Sequence, residues 1–122
     1  MLQIKSNNYP LGILIITFLM VLNTGCTSKE VQSNKAPNVI AGEDIHVSVG
    51  EKFNFAGSAS DPDGNIVSYE WDADGDGKYD TFCKNCGRDA YTFEKPGTYT
   101  AKLKVIDDDG AVGTDELTIY VE

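Results

Sequence analysis

Residues 61–80 read DPDGNIVSYEWDADGDGKYD, and this stretch decides the fold. Large apolar and polar side chains alternate in its middle, which predicts a β-strand with one buried face. The side chains predicted to face inward are Val67, Tyr69 and Trp71, and those predicted to face outward are Ser68, Glu70 and Asp72. Acidic turns with glycines flank the strand on both sides, and glycine allows the backbone to reverse tightly there. The stretch therefore predicts both a β-fold and a place where carboxylates converge.

The rest of the chain beyond residue 26 repeats this alternation without helical periodicity. Alternating apolar side chains occur at Ile45, Val47 and Val49, at Phe53 and Phe55, at Tyr99, Ala101, Leu103 and Val105, and at Leu117, Ile119 and Val121. Turn signals rich in Gly, Pro and Asp separate these runs about every 8 to 12 residues. The pattern predicts an all-β fold, an antiparallel β-sandwich of about seven strands in residues 38–122.

The N-terminal segment is predicted to be an export signal. Leu11–Leu22 is an apolar run that follows Lys5 and is too short to cross a membrane comfortably, so it fits the core of a signal peptide over residues 1–25. The sequence Asn23-Thr24-Gly25-Cys26 resembles the lipobox of bacterial lipoproteins, although Asn23 replaces the usual apolar residue. That resemblance implies that Cys26 is lipidated and that residues 26–37 tether the domain to a bacterial membrane, in the cell envelope or at its surface. An ordinary secretory signal or an uncleaved anchor is the alternative.

The chain is strongly acidic. It has 10 Lys and Arg against 19 Asp and Glu, a net charge of −9. Removal of residues 1–25 would take away only Lys5, leaving 9 − 19 = −10. Such a charge repels nucleic acids and attracts divalent cations, so nucleic-acid binding is excluded.

The segment from Asp72 to Asp80 has the spacing of metal ligands. Asp72, Asp74, Asp76 and Asp80, with Gly77, match the first ligand positions of an EF-hand loop. The bidentate Glu that should close such a loop is replaced by Cys83, and a strand leads into it instead of a helix. The residues therefore leave two interpretations open, a calcium loop on a β-scaffold or a solvated acidic turn.

Three motifs in order resemble the PKD domain, the polycystic-kidney-disease repeat. They are SASDPDGNIVSYEWDADGDG (residues 58–77), Tyr91-Thr92-Phe93 and PGTYTAKLKVIDDDG (residues 96–110). The resemblance implies an immunoglobulin-like sandwich that acts as a spacer or accessory module. In some members of that family a structural Ca²⁺ lies between positions that correspond to Asp61, Asp72 and Asp107. The resemblance extends this set to Asp63, Asp109 and linker carbonyls near Asn38.

The cysteines predict a disulfide. The chain has three, and once Cys26 is assigned to lipid, Cys83 and Cys86 remain as a close pair in an exported protein. The alternatives are free thiols, a redox CxxC motif, half of a zinc site and a haem attachment. A redox motif normally opens a helix, and haem attachment requires a His where Gly87 stands.

The function predicted from the sequence is binding rather than catalysis. The chain has one histidine, His46, and no plausible pairing of a nucleophile with a base, so it is not expected to be an enzyme. We expect a membrane-anchored module that contacts an envelope or extracellular protein or a polysaccharide. Its aromatic side chains Tyr79, Phe82, Tyr91 and Tyr120 are predicted either to form an exposed strip or to complete the core. The alternative function is a small exported redox or metal-handling protein that uses Cys83 and Cys86.

Overall fold

A computed structural model describes residues 32–122 of the chain. The predicted signal peptide and Cys26 lie outside these residues. The strands are β1 (Asn38–Ile40), β2 (Ile45–Val47), β3 (Lys52–Ala56), β4 (Ser58–Ser60), β5 (Ile66–Asp72), β6 (Thr81–Cys83), β7 (Arg88–Thr92), β8 (Gly97–Asp107) and β9 (Val112–Val121). No helix in the part of the chain from residue 32 onward is long and apolar enough to span a membrane.

The first layer is a five-stranded sheet with the order β2-β9-β8-β5-β6. Its centre is the long antiparallel pair of β8 and β9, in which Thr100 lies opposite Thr118 and Leu103 opposite Asp115. Strand β2 pairs with β9 in parallel, which departs from the purely antiparallel sandwich that the sequence predicted. A parallel edge is possible here because β2 reaches β9 from the other layer rather than through a hairpin.

The second layer is built from two short antiparallel pairs, β1 with β4 and β3 with β7. Only Gly57 separates β3 from β4, so the two segments form one interrupted strand whose halves pair with different partners. Strands β1 and β2 are likewise two parts of one segment that changes layers. Counted in this way the nine strands make seven, and the predicted β-sandwich is confirmed.

Trp71 and two glycines join the layers. The Trp71 ring packs against Phe55 with a centroid distance of 4.6 Å, and its Nε1 donates to the Gly87 carbonyl oxygen at 3.1 Å. The Gly57 N–H donates to the same oxygen at 2.8 Å. A Cβ on Gly57 would lie 2.4 Å from Leu103 Cδ2, so only glycine lets the backbone approach the core this closely.

Strand β5 differs from its predicted alternation at both ends. Trp71 is buried as predicted, but Val67 is 37% exposed, and Ser68, predicted to face outward, is only 6% exposed, so both of these predictions were wrong. The pairing with β8 shifts between Ile66 and Ser68, and this bulge makes Ile66 the residue that packs against the core. Asp72, predicted to be solvent-facing, is only 4% exposed, because the loop after β5 folds over its side chain.

Candidate metal centre

The structure divides the predicted metal ligands between opposite ends of β5. Ile66 at one end pairs with Asp107, whereas Asp72 at the other end pairs with Lys102. Six residue steps of about 3.3 Å place these ends roughly 20 Å apart. Asp61, Asp72 and Asp107 therefore cannot ligate one ion, which corrects the set implied by the family resemblance. Two groups result, which we call the Asp61 cluster (Asp61, Asp63 and Asp107) and the Asp72 loop (residues 72–80).

In the Asp72 loop the backbone wraps around the Asp72 carboxylate. Oδ1 accepts from the Gly75 N–H at 2.8 Å, and Oδ2 accepts from the Gly77 N–H at 2.9 Å. The loop can close in this way because Gly75 and Gly77 have φ angles of 77° and 90°, which side chains disfavour. Asp72 is thus buried with a backbone donor on each carboxylate oxygen.

The other carboxylates of this loop are also largely occupied. Asp80 Oδ2 accepts from the Ala73 N–H at 2.9 Å, and Asp74 accepts from the Asp76 N–H and from the Tyr91 hydroxyl. Oxygens of Asp72, Asp74 and Asp80 lie within 4.8 Å of one another, which is close enough to share a cation. Asp76 does not join them, and it faces the exposed Lys78 at 3.8 Å. The turn is thus held together by its own N–H groups.

The Asp61 cluster is centred on Asp107, which is only 2% exposed. Asp107 Oδ1 accepts from the Asp109 N–H at 3.0 Å and from the Ala111 N–H at 2.8 Å. The Asn34 amide nitrogen lies 3.0 Å from Asp107 Oδ2. Asp107 therefore closes the turn after β8 and also holds the segment that precedes the first strand.

Asp61 and Asp63 each use only one carboxylate oxygen. Asp61 Oδ1 accepts from the Asp63 N–H at 3.3 Å, and Asp63 Oδ2 accepts from the Lys35 N–H at 3.0 Å. Asp61 Oδ2 and Asp63 Oδ1 are buried and have no hydrogen-bond partner among residues 32–122. Burial raises the pKa of Asp61 above its usual value, and the neighbouring carboxyl groups of Asp63 and Asp107 raise it further. Buried carboxylate oxygens without donors are unfavourable, and a hard cation that binds oxygen ligands would satisfy both of them.

A glycine and a second acidic residue keep the Asp61 cluster compact. A Cβ on Gly64 would lie 2.7 Å from Asp61 Oδ2 and 2.5 Å from Asp108 Oδ1. Asp108 accepts from the backbone and side-chain nitrogens of Asn65, and these hydrogen bonds lower its pKa. Sequence reasoning missed the roles of Asp108 and Asn34, because neither lies in the turn that contains Asp61. Asp109, considered as a ligand, contributes its backbone N–H to Asp107 instead.

Cys83 and Cys86 form a disulfide, as predicted. It lies where the chain leaves β6 in the first layer and enters β7 in the second. Beside it, Thr81 Oγ1 donates to Asp89 Oδ2 at 2.9 Å, and Gly87 accepts from Trp71. The disulfide therefore lies in a link between strands, where no helix begins, which is not the setting of a redox CxxC motif.

The predicted aromatic strip is not continuous. Phe82 is 68% exposed on the edge strand β6, and Tyr79 and Tyr120 are each 37% exposed. Tyr91 is half-buried and packs against the core. The four aromatic residues therefore divide between the exposed surface and the core edge.

Comparison with known proteins identifies the family. The model of the PKD domain matches residues 34–121. Collagenase ColA of Clostridium perfringens is 38% identical over 96 residues, which is 78% of this chain and 8% of the collagenase. The chain therefore spans only a small part of that relative.

Solved structures show the same fold. The PKD1 domain of Vibrio anguillarum Epp has 30% identity and a TM-score of 0.57, and the match covers 74% of this chain and 98% of that domain. A structure described for carbohydrate-binding modules of the β-sandwich superfamily has 34% identity and a TM-score of 0.62, over 73% of this chain and 35% of that one. With the sandwich fold and the family match over most of its length, this chain belongs to the PKD domain family.

Proposed function

We propose that this chain is a non-catalytic contact module of the bacterial cell envelope, which binds a protein or a polysaccharide. The observation that carries the proposal is the extent of the similarity. Residues 34–121 match one PKD domain, and the stretch similar to Collagenase ColA is only 8% of that enzyme. A part so small supports an accessory role for the matched domain. The likeness to a structure described for carbohydrate-binding modules supports a binding role on the same fold.

A lipid at Cys26 would hold the module at a bacterial membrane. Acylation with more than one chain gives stable anchoring, at about 0.8 kcal/mol per buried methylene. The tether after Cys26 would end at Asn34, since Asn34 and Lys35 already contact the Asp61 cluster. Exchange of Cys26 for Ser is expected to move the protein from the membrane fraction to the soluble fraction.

Calcium would be a structural ion at the Asp61 cluster. Asp61, Asp63 and Asp107 would hold it, and the donor-free oxygens Asp61 Oδ2 and Asp63 Oδ1 support this choice. Bound there, the ion would neutralise the crowded carboxylates. It would also fasten the segment at Asn34 to the turns after β4 and β8. The Asp72 loop is the less favourable place, since each of its clustered carboxylates already accepts a backbone N–H.

The proposal is tested by retention of partners on the full chain, purified in mild detergent and immobilised. Envelope extract and a panel of soluble polysaccharides are passed over it, and we expect saturable retention of a defined protein or polysaccharide. Hydrolysis of a retained ligand would overturn the non-catalytic role. Reduction of insulin disulfides that depends on Cys83 and Cys86 would instead establish the redox alternative.

A further inference from the structure

An open cleft of about 320 Å³ lies beside the Asp72 loop. Its walls are Tyr91 from β7 and Tyr99 from β8, its rim includes Glu94 and Lys95 of the turn between these strands, and Asp74 closes one side. We call it the tyrosine cleft. Its volume lies at the lower end of the range found for small-ligand sites.

The aromatic side chains of the cleft are held in place before any ligand arrives. Buried Phe93 packs between the two tyrosines with its ring tilted against each, at centroid distances of 4.9 Å to Tyr91 and 4.7 Å to Tyr99. The Tyr91 hydroxyl donates to Asp74 Oδ2 at 3.2 Å, and the Tyr99 hydroxyl donates to the Lys95 carbonyl at 2.9 Å. Side chains fixed in this way lose little entropy when a ligand binds.

The cleft is electronegative. Burial, and then the charges of Asp74 and Asp80, raise the pKa of Tyr91 above its usual value. Lys95 forms no ion pair with Asp74 or Glu94 in the described part of the chain. Each Asp74 oxygen accepts one hydrogen bond, from the Asp76 N–H and from the Tyr91 hydroxyl, and keeps a lone pair for a further donor. No basic side chain among residues 32–122 pairs with this carboxylate.

We propose that the tyrosine cleft binds an arginine side chain presented by a basic segment of a partner protein. A guanidinium is planar, so it can stack on a tyrosine ring while it donates to the Asp74 carboxylate. The net charge of −9 would attract such a segment from a distance. This inference rests on the proposed contact function and names a protein with a basic segment as the partner.

The test is a titration of the full chain with the peptide acetyl-Gly-Arg-Gly-Arg-Gly-amide, followed by tyrosine fluorescence and by NMR. We expect saturable binding that weakens as NaCl is raised from about 0.05 to about 0.5 M, since salt screens charge attraction. The same peptide with citrulline in place of arginine is neutral and similar in shape, so it should not bind. A neutral oligosaccharide should not compete.

Matched variants locate the site. Asp74→Asn removes the charge and keeps one oxygen, for either the Tyr91 hydroxyl or the Asp76 N–H. We expect it to weaken binding of the peptide at least fivefold. Asp76→Asn makes the same charge change in the same loop but outside the cleft, and it should leave the affinity nearly unchanged. Glu94→Gln on the exposed rim supplies a second variant that does not threaten folding, with an expected loss of about twofold. Thermal unfolding of each variant shows whether it remains folded.

Several results would overturn the inference. Equal losses of affinity in Asp74→Asn and Asp76→Asn would show that the peptide binds only by general charge attraction. Binding of the citrulline peptide would show that the guanidinium is not required. If a partner from envelope extract is retained equally by the wild type and Asp74→Asn, the cleft inference fails while the contact function stands. If neither protein nor polysaccharide is retained at all, the contact function itself fails.

Discussion

The two acidic regions at the ends of β5 look alike in sequence and differ in their hydrogen bonds. Each has an Asp-x-Asp-Gly run, from Asp61 to Gly64 and from Asp74 to Gly77. In the Asp72 loop the carboxylates accept backbone N–H groups, and Asp72 does so with both oxygens. In the Asp61 cluster two buried oxygens have no donor among residues 32–122. The spacing of acidic residues therefore predicts where carboxylates gather, whereas the available donors decide whether they hold the backbone or favour a cation.

The largest effect is expected from a substitution of Asp72, which tests whether its carboxylate holds the backbone of the Asp72 loop. Asp72→Ala would leave the Gly75 and Gly77 N–H groups without their acceptor in a nearly closed turn. Hydrogen bonds to charged groups contribute about 1.5 to 3 kcal/mol each, so we expect a loss of about 3 kcal/mol in the free energy of unfolding. For a domain of this size that corresponds to a fall of roughly 12 to 24 °C in Tm. Urea unfolding measures it.

Calcium provides the control for Asp72→Ala. If the carboxylate holds the backbone rather than an ion, the loss must be the same in EGTA and in millimolar Ca²⁺. Asp72→Asn keeps one acceptor oxygen and should lose less stability than the alanine variant. A loss that disappears in EGTA would show that Asp72 acts through a bound ion.

The next effect tests the Asp61 side. Extracellular calcium modules have Kd values of about 10⁻⁴ to 10⁻³ M, so 10 mM Ca²⁺ should stabilise the wild type by about 1 to 3 kcal/mol. Asp63→Asn removes one of the unpartnered anionic oxygens and should abolish most of this gain. Tm values measured by calorimetry in Ca²⁺ and in EGTA check this prediction. Asp72→Asn is the matched control and should keep the stabilisation by calcium. An unchanged wild-type midpoint in EGTA would rule out the calcium site.

The strands could be predicted where a single rule governs many residues. The alternation of Leu103 and Val105, and of Leu117 and Ile119, follows from the period of a β-strand, and all four side chains are buried. The predicted inward orientation of Val67 was wrong because a bulge inserts one extra residue into β5, and nothing in the neighbouring sequence marks that insertion. The disulfide could be predicted because few pairings were possible for so few cysteines.

The acidic sites could be predicted only in part. Asp61 and Asp107 were predicted to act together and do lie in one cluster. Asn34, which contacts Asp107 across 73 residues of sequence, could not be placed there from the sequence. Asp72 was grouped with Asp61 because the family resemblance does not show that the two residues lie at opposite ends of β5. The positions of the N–H donors depend on the φ angles of residues such as Gly75 and Gly77. Glycine in the sequence allows these angles but does not determine them.

A smaller effect is expected from Gly64→Ala. The added Cβ would lie against Asp61 Oδ2 and Asp108 Oδ1, and these side chains would have to move apart. Disturbing the groups that orient metal ligands weakens binding about 10 to 100-fold, and we expect the lower end of that range for the calcium affinity. Isothermal titration calorimetry measures the affinity. An affinity equal to that of the wild type would show that the ion does not contact Asp61.

The smallest effect on stability is expected from Asp76→Ala. This variant tests most directly whether sequence spacing or the observed geometry identifies the metal ligands. By spacing Asp76 is the third ligand of an EF-hand-like loop. Its carboxylate instead lies in solvent, where it accepts from the Lys78 N–H at 2.8 Å and faces the Lys78 ammonium at 3.8 Å. Exposed ion pairs contribute about 0 to 1 kcal/mol, and the Lys78 N–H can bond to water instead, so the free energy of unfolding should fall by no more than about 1 kcal/mol. The calcium-dependent rise in Tm should stay intact. If Asp76→Ala abolished that rise and Asp63→Asn preserved it, the ion would lie in the Asp72 loop. The hydrogen bonds that close the loop would then have to give way to the ion, and the roles assigned to the two ends of β5 would be exchanged.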